Sequence, residues 1–259
     1  MGYAGQVSGA HAAFLGIGAF SSAVLTTRCH MDPWLAIAVG VILAMIIAVV
    51  IGIPLLKLEG HVLAVATIAL SIVIYTLFVE MRPITGGYDG IVGIPRLSIG
   101  GFAFQSDRSN YYLIWTFVLL GFLFASNVVN SRTGKALRSI HRFFGGSEMA
   151  AQSLGISPAK YKILVFAVSA AYASLAGSLY AHWITFVSPE PFNFWVSLLM
   201  IIITTIGGMG SLWGALIGSC VIVISGEVFR EVVPRLIPPA AAKAQQGEYA
   251  KVLSKNGWG

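Results

Sequence analysis

The stretch NSRTGKALRSIHRFFGGSEMAAQSLGISPAKYK, Asn130 to Lys162, lies between two runs apolar enough to cross a bilayer. It carries Arg132, Lys135, Arg138, His141, Arg142, Lys160 and Lys162 against a single acid, Glu148. Lys and Arg in short loops between membrane spans are held on the cytosolic side, so this stretch is expected to face the cytosol. Its middle reads as a two-turn helix, Glu148 to Leu154, with Ser147 placed to cap the first N–H groups and Gly155 placed to end it. Ser157-Pro158 then reads as the cap and first position of the next helix. A short cytosolic helix between two spans is a handle for a soluble partner. The fold class that follows is all-α: a polytopic transmembrane bundle of about six to eight membrane segments, some broken or re-entrant.

Composition agrees. Hydrophobic residues make up 57% of the 259 positions and charged residues 10%, with a mean hydropathy of +0.83. A soluble domain would carry about a quarter charged residues. The net charge of +6 is then a signature of membrane orientation and not of nucleic-acid binding. Cys29 and Cys220 stand far apart with no CxxC partner, which supports neither a zinc site nor a disulfide framework. The opening residues, MGYAGQVSGAHAAF, lack the basic region of a signal peptide and read as the middle of a membrane domain.

Toward the N-terminus, Tyr111 to Val129 is the span that delivers the chain to the basic stretch. Before it, Glu80 to Asn110 is a long loop with Gly86-Gly87, Gly100-Gly101, Pro83 and Pro95, expected to be ordered and packed on the bundle. Val62–Val79 and Pro33–Leu56 are spans, the latter about 36 Å long as a helix, joined by a polar turn at Lys57, Glu59, Gly60 and His61. Ala10–Thr26 is either a full span or the second half of a broken one.

Toward the C-terminus, Pro158–Trp183 is a helix of about 39 Å. Ala173, Gly177 and Ala181 form one line of small residues on it, with Ala170, Ser174 and Ser178 beside them. Small residues four apart let membrane helices touch backbone to backbone. A turn at Ser188–Asn193 leads to Trp195–Ile206, too short to span alone, and Gly207-Gly208-Met209-Gly210-Ser211 interrupts the run before Leu212–Phe229. A glycine break at membrane depth is tolerated where protein or a water-filled cavity covers it, as in the discontinuous helices of transporters. The alternative is a plain loop between two spans. Gly5-Gln6 in the opening GYAGQ echoes this GxxG-polar pattern, a hint of two related halves and of a path lined by Gly5, Gln6, Gly207, Gly208, Gly210 and Ser211. From Arg230 the chain is expected to turn amphipathic and polar. Residues 1–236 thus read as one membrane domain, with 130–162 inside and 80–110 outside. Residues 237–259 read as a polar tail. Alternation puts Phe186–Asn193 outside and Lys57–His61 inside.

No span interior contains Asp, Glu, Lys or Arg, which argues against a proton-coupled carrier or a voltage sensor. His11 and His182 read as packed or interfacial rather than as metal ligands. No HExxH, GxSxG or paired-acid motif occurs, so no enzymatic centre, metal or cofactor is expected. Gly134-Lys135 fails as a phosphate loop, because the preceding glycine is missing and Ala136 replaces the required Ser or Thr. If ATP drives this protein, a partner supplies it.

These residues carry a resemblance. Tyr3-Ala4-Gly5-Gln6-Val7-Ser8 with His11-Ala12-Ala13-Phe14, Thr85-Gly86-Gly87 through Gly93-Ile94-Pro95, and Gly134-Lys135-Ala136-Leu137-Arg138 with Ser147 to Ile156 resemble, in order, segments of the branched-chain amino acid ABC permeases of LivM type. Leu175-Ala176-Gly177 and Gly207 to Gly214 complete the match. The resemblance implies a multi-pass subunit of the bacterial inner membrane, in contact with membrane lipid. Its expected partners are a homologous second permease, two cytosolic ATP-binding subunits and a periplasmic amino-acid-binding protein. It also implies that Ser147, Glu148, Ala150, Ala151, Leu154 and Gly155 form a coupling helix seated on the ATPase. Against the family pattern, the chain starts after the first spans and stops where a last one would begin, and Arg142-Phe143-Phe144-Gly145 reads as an insertion ahead of the coupling helix. Alternatives are a permease for urea or short amides, an ATP-independent channel or secondary carrier, and a shortened copy without function.

Overall fold

Inside a bilayer every backbone N–H and C=O has to be bonded within the protein, which leaves helices for long apolar runs. The computed structural model describes residues 8–236 apart from 59, 100, 101, 105, 141–147, 154, 156 and 209. In chain order the elements are α1 (His11–Arg28), α2 (Pro33–Leu55), α3 (Gly60–Glu80), α4 (Arg82–Thr85), β1 (Ile91–Val92), β2 (Ser98–Ile99) and β3 (Phe102–Ala103). They continue with α5 (Asp107–Asn130), α6 (Arg132–Ile140), α7 (Glu148–Ser153), α8 (Pro158–Ile184), β4 (Phe186–Val187), α9 (Phe194–Ile206) and α10 (Leu212–Leu236). Among the described residues, α2, α3, α5, α8 and Leu212–Val232 of α10 are long and apolar enough to cross a membrane. The chain is an all-α, multi-pass helical membrane protein.

The core is built on α8, which packs along both α1 and α2. A Cβ on Gly177 would fall on the carbonyl of Leu15, and one on Gly18 would fall on the backbone of Ser174. Helices α1 and α8 therefore touch main chain to main chain, a distance that only glycine at the crossing allows. Dispersion across so close a contact is what holds helices together where lipid removes the hydrophobic drive. Ala170, Ser174, Ser178 and Ala181 are fully buried beside this crossing, and Ala173 is half-buried. A ring cluster closes one side: Phe20 lies 4.7 Å from Phe78 and 5.8 Å from Phe192, centroid to centroid.

At the end opposite the basic stretch, the chain between α3 and α5 forms an ordered cap. Strand β1 pairs antiparallel with β4, Ile91 facing Val187, and β2 pairs with β3. The loop before α5 and the turn after α8 thus lie together at one end of the bundle. Arg28 at the end of α1 donates to the carbonyl of Pro83, and Trp34 Nε1 at the start of α2 donates to Ser98 O at 2.7 Å.

Three expectations change in detail. Helix α10 extends past the apolar run Leu212–Phe229 as far as Leu236, because an amphipathic stretch still satisfies its backbone as a helix. Glu227 and Arg230, both exposed, lie 3.9 Å apart along it. Ser157 occupies the N-cap position of α8 with Pro158 first in the helix, but its side chain makes no capping bond. The glycine break after α9 does not join two halves of one continuous helix. Gly207 and Gly214 lie backbone to backbone, and Gly218 lies against Ile203 and Gly207, so α10 folds back on α9 as an antiparallel hairpin.

Candidate functional site: a hydroxyl-lined core and a protruding basic segment

Helix α1 begins inside the bundle, and its first turn is capped by other helices. Its N-cap position is Ala10, which has no capping side chain. The N–H of Gly9 instead donates to Thr67 Oγ1 of α3 at 2.9 Å, and that of Ala12 donates to Ser197 Oγ of α9 at 3.0 Å. The Ser8 hydroxyl accepts from Ala10 N at 3.3 Å. Orphan N–H groups at a helix start need such acceptors when no water reaches them. From Ala12 to the end of α1 is about 24 Å by helical rise. Because Ser197 in the first turn of α9 meets Ala12, α9 also starts deep in the bundle. The chain reaches that depth through Val187, Pro189 and Phe192, all buried. This is why 13 residues suffice for α9.

Higher along α1 and α8 runs a second set of polar contacts. Ser178 Oγ donates to Gly18 O at 3.0 Å and Ser21 Oγ donates to the same carbonyl at 3.1 Å. His182, 1% exposed, lies with Nδ1 2.7 Å from Pro95 O and Nε2 2.7 Å from Ser22 Oγ. A carbonyl only accepts, so Nδ1 carries the proton, and Nε2 of the neutral ring accepts from the serine hydroxyl. One imidazole thereby ties the cap to both core helices. Ser71 and Ser174, both 0% exposed, have hydroxyls with no partner among the described residues. Among the described residues no cluster of three His, Cys, Asp or Glu is placed to hold a metal.

The basic segment is built differently. Gly134, Ala136, Leu137 and Ile140 of α6 are buried while Lys135 is exposed, so α6 lies with one face against the ends of α5 and α8. In α7, Ala151 is 1% exposed, whereas Gln152, Ser153 and Gly155 are exposed. Gly155 N donates to Gln152 O at 2.9 Å and Gly155 has φ +80°, the left-handed conformation that ends the helix. A Cβ there would meet nothing within 4 Å, so conformation and not crowding is what requires glycine.

Of the residues singled out from sequence, Glu148, Ala150, Ala151 and Gly155 fall in or just after α7, and Gly207, Gly208, Gly210 and Ser211 fall in the α9–α10 turn. Gly210 and Ser211 line a small polar pocket with Ser126 and Asn130 from the last turn of α5. The break therefore lies at the basic end of the bundle. Gly5, Gln6, Ser147 and Leu154, the Arg142–Gly145 segment and the 237–259 tail lie outside the described residues. Sequence reading missed the caps that Thr67 and Ser197 lend to α1, and the His182 bridge. A lone histidine four residues from Ser178 was the available signal; Pro95, 87 positions away, was not.

The profile of the family described as "Branched-chain amino acid transport system / permease component" matches residues 1–254. The high-affinity branched-chain amino acid transport system permease protein LivM of Escherichia coli (strain K12) is 29% identical, over a match covering 89% of this chain and 59% of that protein. LivM of Salmonella typhimurium (strain LT2) is likewise 29% identical, with the same coverage of 89% and 59%. The chain spans about three-fifths of the length of these curated relatives. No solved structure matches it. A multi-pass helical body carrying the family's segments in order, matched by the family profile over nearly its whole length, places the chain in the branched-chain amino acid transport permease family.

Proposed function

We propose that the chain is the membrane-spanning subunit of an ABC importer in the bacterial inner membrane, forming the path for branched-chain amino acids. Separate ATP-binding subunits would drive it, a homologous permease would stand beside it, and a periplasmic amino-acid-binding protein would deliver substrate. The single observation that carries this reading is α7. It is a short helix on the basic segment, anchored by Ala151 and presenting Gln152 and Gly155 to solvent. Basic residues on either side support a cytosolic position for it. Movement imposed on α7 passes to α8, and α8 shares main-chain contact with α1, so the deep first turn of α1 moves with it. Residues 1–236 act as one permease domain in this reading, with 130–162 cytosolic and 80–110 outward. Substrate passes near the α1 first turn and the Gly207–Ser211 region. Among the described residues the core offers hydroxyls and carbonyls without ionised side chains, which suits an aliphatic substrate whose own charges are balanced.

The test is reconstitution in proteoliposomes with the ATP-binding subunits and binding protein of its own system. Leucine uptake is expected with ATP and all subunits present, and none when the ATP-binding subunits are omitted. Uptake by the chain without them would overturn the reading in favour of a channel or secondary carrier.

A further inference from the structure

Helices α5, α8 and α10 do not close against one another. An apolar cleft of about 550 Å³ runs between them, with Ala176 and Leu175 of α8 at its floor and Phe117, Phe122, Ala215 and Leu216 in its walls. At the basic end it shares Phe122 and Leu212 with the polar pocket of about 220 Å³ that holds Ser126, Asn130 and Ser211. Trp213, 64% exposed, meets Phe122 edge-on at 4.9 Å where the two join. An exposed tryptophan at the end of a span marks the headgroup level of the bilayer. One residue beyond Asn130 the chain turns at Ser131 into α6, whose sequence RTGKALRSI has three basic residues and no acid, with Lys135 exposed.

We propose that this compound cleft binds one anionic glycerophospholipid from the leaflet on the basic side. An acyl chain would lie along α5, α8 and α10, and the phosphate headgroup would sit at the polar pocket beside α6. The chemistry sorts the occupants. The cleft hydroxyls of Tyr172 and Ser219 already donate to the carbonyls of Gly121 and Leu216, at 2.7 and 2.8 Å. Tyr180 and Trp183 are the other side-chain donors in the lining, and no charged side chain is there to balance the charges of a zwitterionic substrate, while an acyl chain needs no polar partner. Apolar length ending in a polar pocket, at tryptophan level and beside a helix rich in basic residues, is the shape and charge order of a phospholipid. Anionic lipids gain from each Lys or Arg near the surface, which selects the headgroup. Because Gly210 and Ser211 line the headgroup pocket, the proposal places the substrate path on the α1 side of the Gly207–Ser211 turn, whichever substrate the protein carries.

The assay uses the full chain in phosphatidylcholine vesicles carrying a trace of lipid with a photoactivatable acyl chain, either phosphatidylglycerol or phosphatidylcholine. Phosphatidylglycerol is expected to label peptides of α5 and α10 lining the cleft about fivefold more than phosphatidylcholine does, the factor that one basic side chain confers. Ala176→Phe, at an exposed small residue, and Ala215→Phe, on the opposite wall, are each expected to remove most of that labelling. Leu35→Phe, on the lipid-facing side of α2, is expected to leave it unchanged. Lys135→Glu, at a solvent-exposed position, is expected to abolish the preference for phosphatidylglycerol while sparing phosphatidylcholine labelling. Equal labelling by the two lipids, indifference to both filling variants, or labelling displaced by another protein chain in the assembled complex would overturn the proposal.

Discussion

Helices α8 and α5 are both long apolar spans, yet 44% of the most apolar stretch of α8 is buried and none of that of α5 is. The difference lies in side-chain size and not in hydropathy. Helix α8 lines up Ala170, Ser174, Gly177, Ser178 and Ala181, and through them reaches the backbone of α1. Helix α5 presents Leu119, Leu120, Leu123 and Phe124, all more than half exposed, and reaches α8 through the Tyr172 hydroxyl on Gly121 O at 2.7 Å. In lipid an exposed leucine has nothing to gain from another leucine, so bulk keeps helices apart and smallness brings them together. The protein is a tight three-helix core of α1, α2 and α8, with looser spans around it.

The largest expected effect breaks this contrast at the crossing. Gly177→Val puts a branched side chain onto the Leu15 carbonyl and is expected to cost at least about 3 kcal/mol, lost as monodisperse protein in a thermal melt. Leu120→Phe on α5 is expected to stay within about 0.5 kcal/mol of the parent. If the two variants melted alike, the division into core and periphery would be wrong. Next is His182→Ala, which leaves the Ser22 hydroxyl and the Pro95 carbonyl unpartnered and is expected to cost about 1–3 kcal/mol. Faster hydrogen exchange in the cap between α3 and α5 would report the same loss.

A smaller effect separates two neighbours on α3. Thr67→Val removes the acceptor of the Gly9 N–H and is expected to destabilise by about 1–2 kcal/mol. Ser71→Ala, one turn along, removes a hydroxyl with no partner among the described residues and is expected to cost nothing by the same melt. The last contrast is at the periphery, where function and not global stability is read. Gly155→Val forces a β-branched residue to φ +80° in open space. It is expected to leave insertion and melting nearly unchanged while uncoupling ATP hydrolysis from uptake in proteoliposomes. Normal uptake by this variant would remove α7 from the coupling route.

Much of this architecture could be read from residue order. The basic stretch, the five long apolar helices and the small-residue lines on α8 are local patterns, because hydropathy and residue size repeat along one helix. What escaped the sequence was partnership. Small residues on α8 announce a close approach but do not name Leu15 and Gly18 as the other side. Hydropathy is blind to direction, so GGMGS reads equally as a kink or a reversal until Gly214 is seen against Gly207. The depth of α9 depends on Ser197 meeting Ala12, 185 positions away, and no local pattern encodes that.

This lipid-embedded body is proposed to be moved from the basic side through α7. The most direct measurement replaces Gln152, exposed on α7, with cysteine in a Cys29→Ser, Cys220→Ser background and applies a short bifunctional crosslinker to the assembled complex. A covalent link to an ATP-binding subunit is expected, formed with reagent supplied from the cytosolic side. A cysteine that reacts only from the opposite side, or that links to no ATP-binding subunit, would contradict it.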